Sequence, residues 1–259
     1  MDTPIVTLTT DWGDRDFFVG KAKGRLYSDI PGVRVVDITH NIDPFSVKKA
    51  AFVVKNACAG FPAGTVHIVD VNSSSSPNVP FVAVEHRGQY YVCSDNGVLS
   101  DLVEREPVRA VRVNVPEDLP CQTFVAAELF CMVAAKLVQG VSFDEIGTPH
   151  ELNRMTPHMV DMSSDRIKVR VAYVDNYGNA DLNMMYEEFE RLRRGRPFCV
   201  MVREESLRQV CRNYAEVRRG QLLLTVSSTG YLQVAVREGS ADQLFGLSNA
   251  PSDIIIVFK

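Results

Sequence analysis

The sequence predicts an α/β amino-terminal domain with a mostly parallel sheet, followed by a smaller antiparallel β domain of sandwich or barrel type. Three observations carry that expectation. Up to about residue 150, short apolar runs alternate with stretches of helical periodicity. Beyond it, β-rich runs follow one another with a single helical interruption. The length of 259 residues also leaves room for two domains at roughly 150 residues each.

Taken in order, residues 4–8 form an apolar run that reads as a buried strand, and residues 17–30 repeat apolar side chains at helical spacing. A second strand is expected at 33–38, a helix at 46–60 and a third strand at 65–71. Residues 81–85 and 89–94 predict a hairpin across His86-Arg87-Gly88, residues 108–113 another strand, and residues 124–139 the most apolar helix. The polar, Met-rich stretch 153–165, with Pro157, reads as a linker between a domain at 1–152 and a domain at 166–259. In the second domain, strands are expected at 166–174, 198–203, 221–226, 231–236 and 254–258, with one helix at 186–194. No internal repeat is visible, and the one low-complexity patch is Ser73-Ser74-Ser75-Ser76.

Composition narrows the function classes. A net charge of −4 gives no electrostatic reason to expect nucleic acid or an anionic membrane surface. The longest apolar stretch, 124–138, contains Glu128 and Lys136 and is too short to span a bilayer. The acidic start, Met1-Asp2-Thr3-Pro4, is unlike a secretory signal. Six cysteines, at positions 58, 93, 121, 131, 199 and 211, lack any Cys-x-x-Cys pairing. That favours free thiols in a reducing cytoplasm and argues against a zinc site or a redox dithiol, and no metal is expected. No glycine-rich dinucleotide or nucleoside-triphosphate loop is present, nor a His-Glu-x-x-His or Gly-x-Ser-x-Gly motif.

The most informative segment is Thr9-Thr10-Asp11-Trp12-Gly13-Asp14-Arg15-Asp16. It places three carboxylates on a tight turn between a strand and a helix, with Gly13 free to take an unusual backbone angle. In open α/β sheets, ligands bind at the carboxyl ends of strands. A carboxylate there suits a ligand with paired hydroxyls or an ammonium group, because it only accepts hydrogen bonds and carries negative charge. The alternative is that Asp14 and Asp16 merely cap the following helix.

Eight blocks in order carry a family resemblance: TTDWGDRDFFVGKAKG (9–24), VDITHNIDPFSVKKAAFVV (36–54), FPAGTVHIVDV (61–71), SDNGVLS (94–100), TF…VAAKLVQG (123–140), EIGTP (145–149), YVDNYGNADLN (173–183) and STGYLQVAVREGSA (228–241). Together they resemble the S-adenosylmethionine hydroxide adenosyltransferases, or S-adenosylmethionine hydrolases, whose relatives are fluorinase and chlorinase. The resemblance covers nearly the whole chain. It implies an α/β domain followed by a β-rich domain. It also implies a homotrimer, with each site between the first domain of one subunit and the second domain of the next. The implied reaction is displacement at the ribose 5′ carbon: an anion or water attacks and methionine leaves. S-adenosylmethionine is then substrate or ligand, with no separate cofactor, no nucleic acid and no membrane partner.

Carried over residue by residue, the resemblance gives Asp11 the ribose hydroxyls, and Asp16 and Asp175 the α-ammonium group of the substrate. Asn179 reads the adenine edge and Ser228 contacts the methionine end. Phe45 stands against the ribose, and Phe124 lies beside the 5′ carbon. Read from the residues alone, Phe45 and Phe124 also suit an apolar core, residues 175–179 suit a hairpin turn, and Ser228-Thr229-Gly230 suits a turn. His40 and His67 are expected to pack rather than transfer protons.

The pattern also departs from the hydrolases, which carry an Asp–Arg–His set that activates water. Asp70 stands at the aspartate position, but Pro77 occupies the arginine position and Val125 the histidine position. Ala126 stands where fluorinase has a serine. The serine run suits either a solvated loop or an anion-binding nest. Three readings follow: cleavage of S-adenosylmethionine by water or halide with Asp70 as the remaining catalytic group; a catalytically degenerate nucleoside-binding homologue with a sensing role; or chemistry on another nucleoside or sulfonium ligand.

Overall fold

The computed structural model describes residues 3–74, 76–104, 106–119, 123–155, 161–162, 165–248 and 254–259. The chain divides into two compact units, Met1–Thr156 and Pro157–Lys259. Residues 153–155, which the sequence assigns to the linker, bond into the first unit. Asn153 N donates to Asp95 Oδ2 at 2.9 Å, and Met155 N to Ser100 Oγ at 2.9 Å.

The first unit contains β1 Ile5–Thr10, α1 Phe18–Asp29, β2 Arg34–Thr39, α2 Val47–Cys58, β3 Val66–Asp70, β4 Phe81–His86, β5 Gln89–Ser94, α3 Ser100–Val103, β6 Arg109–Val113, a π-helical turn Ala126–Phe130 continuing into α4 Cys131–Val138, α5 Phe143–Ile146 and β7 Gly147–Pro149. The sheet order is β2-β1-β3-β5-β4-β6-β7. Strands β2, β1, β3 and β5 pair in parallel, while β4 and β7 run against their neighbours. The expected mostly parallel α/β sheet is therefore present.

Both faces of the sheet are covered, which explains why its strands are apolar runs rather than alternating ones. Ala22 and Leu26 of α1, with Leu129 and Val133, pack on Val6, Leu8, Val66 and Ile68. Ala50, Val54 and Cys58 of α2 pack on Val69, Val82, Val84 and Cys93 on the other face. Complete burial of Leu26 contributes about 1.5–3 kcal/mol. From β1 the chain crosses to β2 on one side, and from β2 it returns to β3 on the other side. The carboxyl ends of β1 and β3 therefore form the switch point where open α/β sheets bind ligands.

The second unit contains β8 Asp161–Met162, β9 Arg166–Val169, β10 Val171–Val174, β11 Ala180–Met185, α6 Tyr186–Arg193, β12 Phe198–Val202, β13 Glu205–Leu207, β14 Leu222–Val226, β15 Tyr231–Val236, α7 Ala241–Phe245 and β16 Ile254–Phe258. Two antiparallel sheets, β10-β11-β15-β14 and β13-β12-β16-β9-β8, contribute to one core. Val169, Val200 and Ile256 come from one sheet, and Leu182, Leu224 and Val234 from the other. This is a sandwich.

Three details correct the sequence expectations. The strand at 166–174 is two strands in different sheets, broken at Arg170. There Asn183 Oδ1 accepts the Arg170 N–H at 2.7 Å in place of a ladder partner. The apolar helix 124–139 opens as the π-helical turn. Strand β11 and helix α7 were not anticipated, although Ala180, Leu182 and Met184 alternate with Asp181, Asn183 and Met185 as a half-buried strand should.

Candidate functional site

At the switch point, Asp11 follows β1 and Asp70 ends β3, and the Asp11 N–H donates to the Asp70 carbonyl at 3.4 Å. Asp11 Oδ2 accepts N–H groups from Phe45 at 2.9 Å and Asn72 at 3.3 Å. Among the described residues, Asp11 Oδ1 accepts no hydrogen bond and no arginine pairs with the carboxylate. Both donors hold left-handed backbones, φ 66° at Phe45 and φ 50° at Asn72. Such strain persists only where surrounding structure enforces it, and it clusters at functional sites. Gly13, at φ 71°, turns the chain so that its N–H reaches the His40 carbonyl at 2.7 Å.

Asp70 is nearly enclosed, at 7% exposed. Its Oδ2 accepts the indole N–H of Trp12 at 2.7 Å. Burial pushes the Asp70 carboxyl up to about 6, and the neighbouring Asp11 charge adds to that rise. The Ser73 hydroxyl and the Trp12 N–H favour the ionised form and oppose it. Ser73 Oγ is buried without a partner of full hydrogen-bond geometry.

An aromatic frame surrounds this pair. The Trp12 ring stacks on His40 at 5.9 Å between centroids and 14° between planes. Phe124 meets it edge-on at 5.0 Å, and Phe18 meets Phe124 at 4.9 Å. His40 is held by Thr10 Oγ1 at 2.8 Å on Nδ1, with Asp37 3.2 Å from Nε2. His67 is a core residue: its Nδ1 meets Thr7 Oγ1 at 2.7 Å, its ring stacks on Tyr91, and burial pushes its pKa down to about 4.

The structure brings Asp11, Asp70, Phe45 and Phe124 to one end of the sheet. Phe45 is exposed, whereas Phe124 is half-buried in the aromatic frame. Asp16 is exposed and bonds to no described residue. Neither Asp14 nor Asp16 caps α1, whose first turn lacks both an acid and a side-chain cap. Val125 is buried at the start of the π-helical turn, and Pro77 is exposed in a turn closed by the Ser76–Val79 bridge. Ser75 lies outside the described residues.

In the second unit, Asp175 and Asn179 serve each other. Asp175 Oδ1 accepts the backbone N–H groups of Tyr177 and Asn179, both at 2.9 Å, and Oδ2 accepts the Asn179 amide at 2.9 Å. Gly178 in this turn sits at φ 79°, and a Cβ there would lie 2.0 Å from Ser240 Oγ. Ser228 is exposed in the turn between β14 and β15. Sequence reasoning missed a polar row beside them, buried at Asp181 and Gln233 and exposed at Tyr214. Gln233 Nε2 donates to Asp181 Oδ1 at 2.9 Å, and Tyr214 donates its hydroxyl to Gln233 Oε1 at 2.7 Å. Burial raises the Asp181 carboxyl to about 6. The alternation along β11 places Asp181 opposite the core-facing Leu182, and that was the available signal.

Among the described residues no helix is long and apolar enough to cross a membrane. Residues 6–147 match the family model described as SAM hydroxide adenosyltransferase N-terminal domain, and residues 169–252 match its C-terminal domain. An "(R)-S-adenosyl-L-methionine hydrolase" from Salinispora tropica is 31% identical over 254 residues, 95% of this chain and 95% of the relative. A "Fluorinase" from Nocardia brasiliensis is 26% identical, covering 73% of this chain and 74% of the relative. A crystal structure of an uncharacterized conserved protein from Thermotoga maritima superposes with a TM-score of 0.85 at 29% identity. It covers 98% of this chain and 100% of that one.

Proposed function

The chain belongs to the SAM hydroxide adenosyltransferase family, and from that premise we propose that it binds S-adenosylmethionine and cleaves it at the ribose 5′ carbon. Asp11 carries this reading. Its carboxylate is fixed by two backbone N–H groups through one oxygen, leaving the other to accept ribose hydroxyls. Phe45 lies at the rim beside it, and Phe124 lines the wall near the reacting carbon.

In the proposed reaction, a water oxygen attacks the 5′ carbon and the carbon–sulfur bond breaks. The electron pair goes to sulfur, which leaves as neutral methionine thioether. The water proton passes to ionised Asp70, so the products are adenosine and methionine. Asp70 suits this role because its raised pKa, about 6, places a proton acceptor near working pH. Combining a cation with an electron-rich nucleophile disperses charge, which a dry pocket favours over separated hydrated partners. Chloride in place of water would give 5′-chloroadenosine without needing a base.

Incubation with S-adenosylmethionine, with and without chloride, tests the proposal through chromatography of adenosine, 5′-chloroadenosine and methionine. Turnover no faster than a protein-free control overturns it. A second reading, a nucleoside-binding homologue with a sensing role, is favoured by exposed Pro77 and buried Val125 at the arginine and histidine positions. Binding of adenosine without turnover would select that reading.

A further inference from the structure

We propose that Trp12 is the positioning residue for Asp70, supplying from the β1 turn the hydrogen bond that fixes this carboxylate and leaves its second oxygen to the nucleophile. The inference rests on the cleavage reading above for its catalytic consequence, but not for the pairing itself. The Trp12 N–H donates to Asp70 Oδ2 at 2.7 Å, within the range of a charge-assisted bond. Among the described residues, Asp70 Oδ1 has no partner of full hydrogen-bond geometry. No arginine or lysine pairs with Asp70 among them either. The Ser73 hydroxyl, short of full hydrogen-bond geometry, is the other group that favours the ionised carboxylate, so Asp70 is held by neutral donors of which the indole N–H is the well-formed one.

The donor is itself immobilised on several sides. His40 stacks on one face of the indole, and Phe124 meets it edge-on. The Trp12 backbone N–H reaches Thr10 Oγ1 at 3.5 Å, and that hydroxyl also holds His40. Gly13 N bonds the His40 carbonyl, fixing the turn on the far side. A side chain packed in this way holds one rotamer, so its N–H is aimed before substrate arrives. An indole N–H has no acceptor character and no charge. It orients Asp70 without neutralising it, leaving a stronger base than an arginine partner would allow.

The titratable and charged groups around this pair are Asp11 beside Asp70, His40 against the indole, Asp37 beyond His40, Lys21 over the Phe124 ring at 5.6 Å, and the buried thiols of Cys93 and Cys131. Of these, His40 is the titratable ring in direct contact with the indole. The test must therefore separate His40 from Asp70.

Trp12 is the sole tryptophan, so its emission reports this pair directly. In the wild-type protein, tryptophan emission followed from pH 4 to 8 should show a transition near 6, and Asp70→Asn should abolish it. A flat wild-type titration, or a transition that survives in Asp70→Asn, overturns the pairing whatever the activity. In the kinetic arm, Trp12→Phe keeps a ring but removes the donor. The expected result is a kcat at pH 6.5 reduced at least tenfold, KM within twofold, and recovery of rate as pH rises. Equal loss at every pH would mark a merely structural tryptophan and overturn the positioning role. Should the wild-type protein fail to turn over S-adenosylmethionine, the cleavage reading fails while the emission arm still decides the pairing.

Discussion

Phe45 donates its backbone N–H to Asp11 Oδ2 at 2.9 Å while holding φ at 66°, a left-handed conformation that bulky residues rarely adopt. The same residue thus carries both the strained backbone and the hydrogen bond to a carboxylate at the end of another element. Conformational strain is here stored beside the proposed ribose site.

The first prediction separates strain from binding. Left-handed backbone costs a bulky residue about 1–2 kcal/mol, and glycine gives back roughly 0.5–1 kcal/mol in entropy. Phe45→Gly should therefore stabilise the fold by about 0.5–1 kcal/mol in denaturant titration, since the ring is 73% exposed. Adenosine affinity should fall in the same variant because the rim loses its ring. A drop in stability would show that the ring packs more than it strains.

Asp11 should discriminate sugars. Hydrogen bonds to a charged acceptor contribute about 1.5–3 kcal/mol each, so the wild-type protein should bind adenosine at least tenfold more tightly than 2′-deoxyadenosine in calorimetry. Asp11→Ala should lose most of the adenosine affinity, and also some stability, because the Phe45 and Asn72 N–H groups lose their acceptor. Equal affinity for the two nucleosides would remove Asp11 from the ribose.

Buried Asp181 predicts a pH-dependent stability. Its folded pKa, about 6, lies above the ordinary carboxyl value of about 3.9. The folded state therefore binds the proton more readily than the unfolded chain. The associated stability is complete below about pH 3.9, declines as pH rises toward 6, and is absent above that. Asp181→Asn keeps an acceptor for Gln233 but carries no charge. It should raise the melting temperature at pH 8 relative to wild type, with the gap closing toward pH 4. Parallel melting curves across that range would contradict this account.

Gly178→Ala should be among the most damaging small substitutions in the second unit. The added Cβ would meet Ser240 Oγ at 2.0 Å from a backbone at φ 79°. Overpacking costs about 1–3 kcal/mol, and the backbone adds about 1 kcal/mol. Chemical denaturation should therefore show a loss of roughly 2–4 kcal/mol. A loss below 1 kcal/mol would mean that Ser240 moves aside freely.

Much of the fold was legible because its signals are local. The apolar runs of β1 and β3 announce strands covered on both faces, and α1 shows its buried Ala22 and Leu26 four residues apart. The position of Asp11 was legible for the same reason, since a strand followed by an acidic Gly turn and a helix is a contiguous pattern. The break at Arg170 was not, because residues 166–174 carry one continuous β signal and the sheet change is decided by Asn183, 13 residues later.

By itself, the sequence determined the two-part α/β and β architecture and placed a carboxylate at a strand end, because periodicity and turn chemistry act within a few residues. Only the tertiary structure decided which groups that carboxylate's neighbours would serve. Trp12 reaches Asp70 across 58 residues, and Gln233 reaches Asp181 across 52, because strand order sets those meetings. The same holds for charge: the rise in Asp70 comes from burial, which depends on how the chain closes around it.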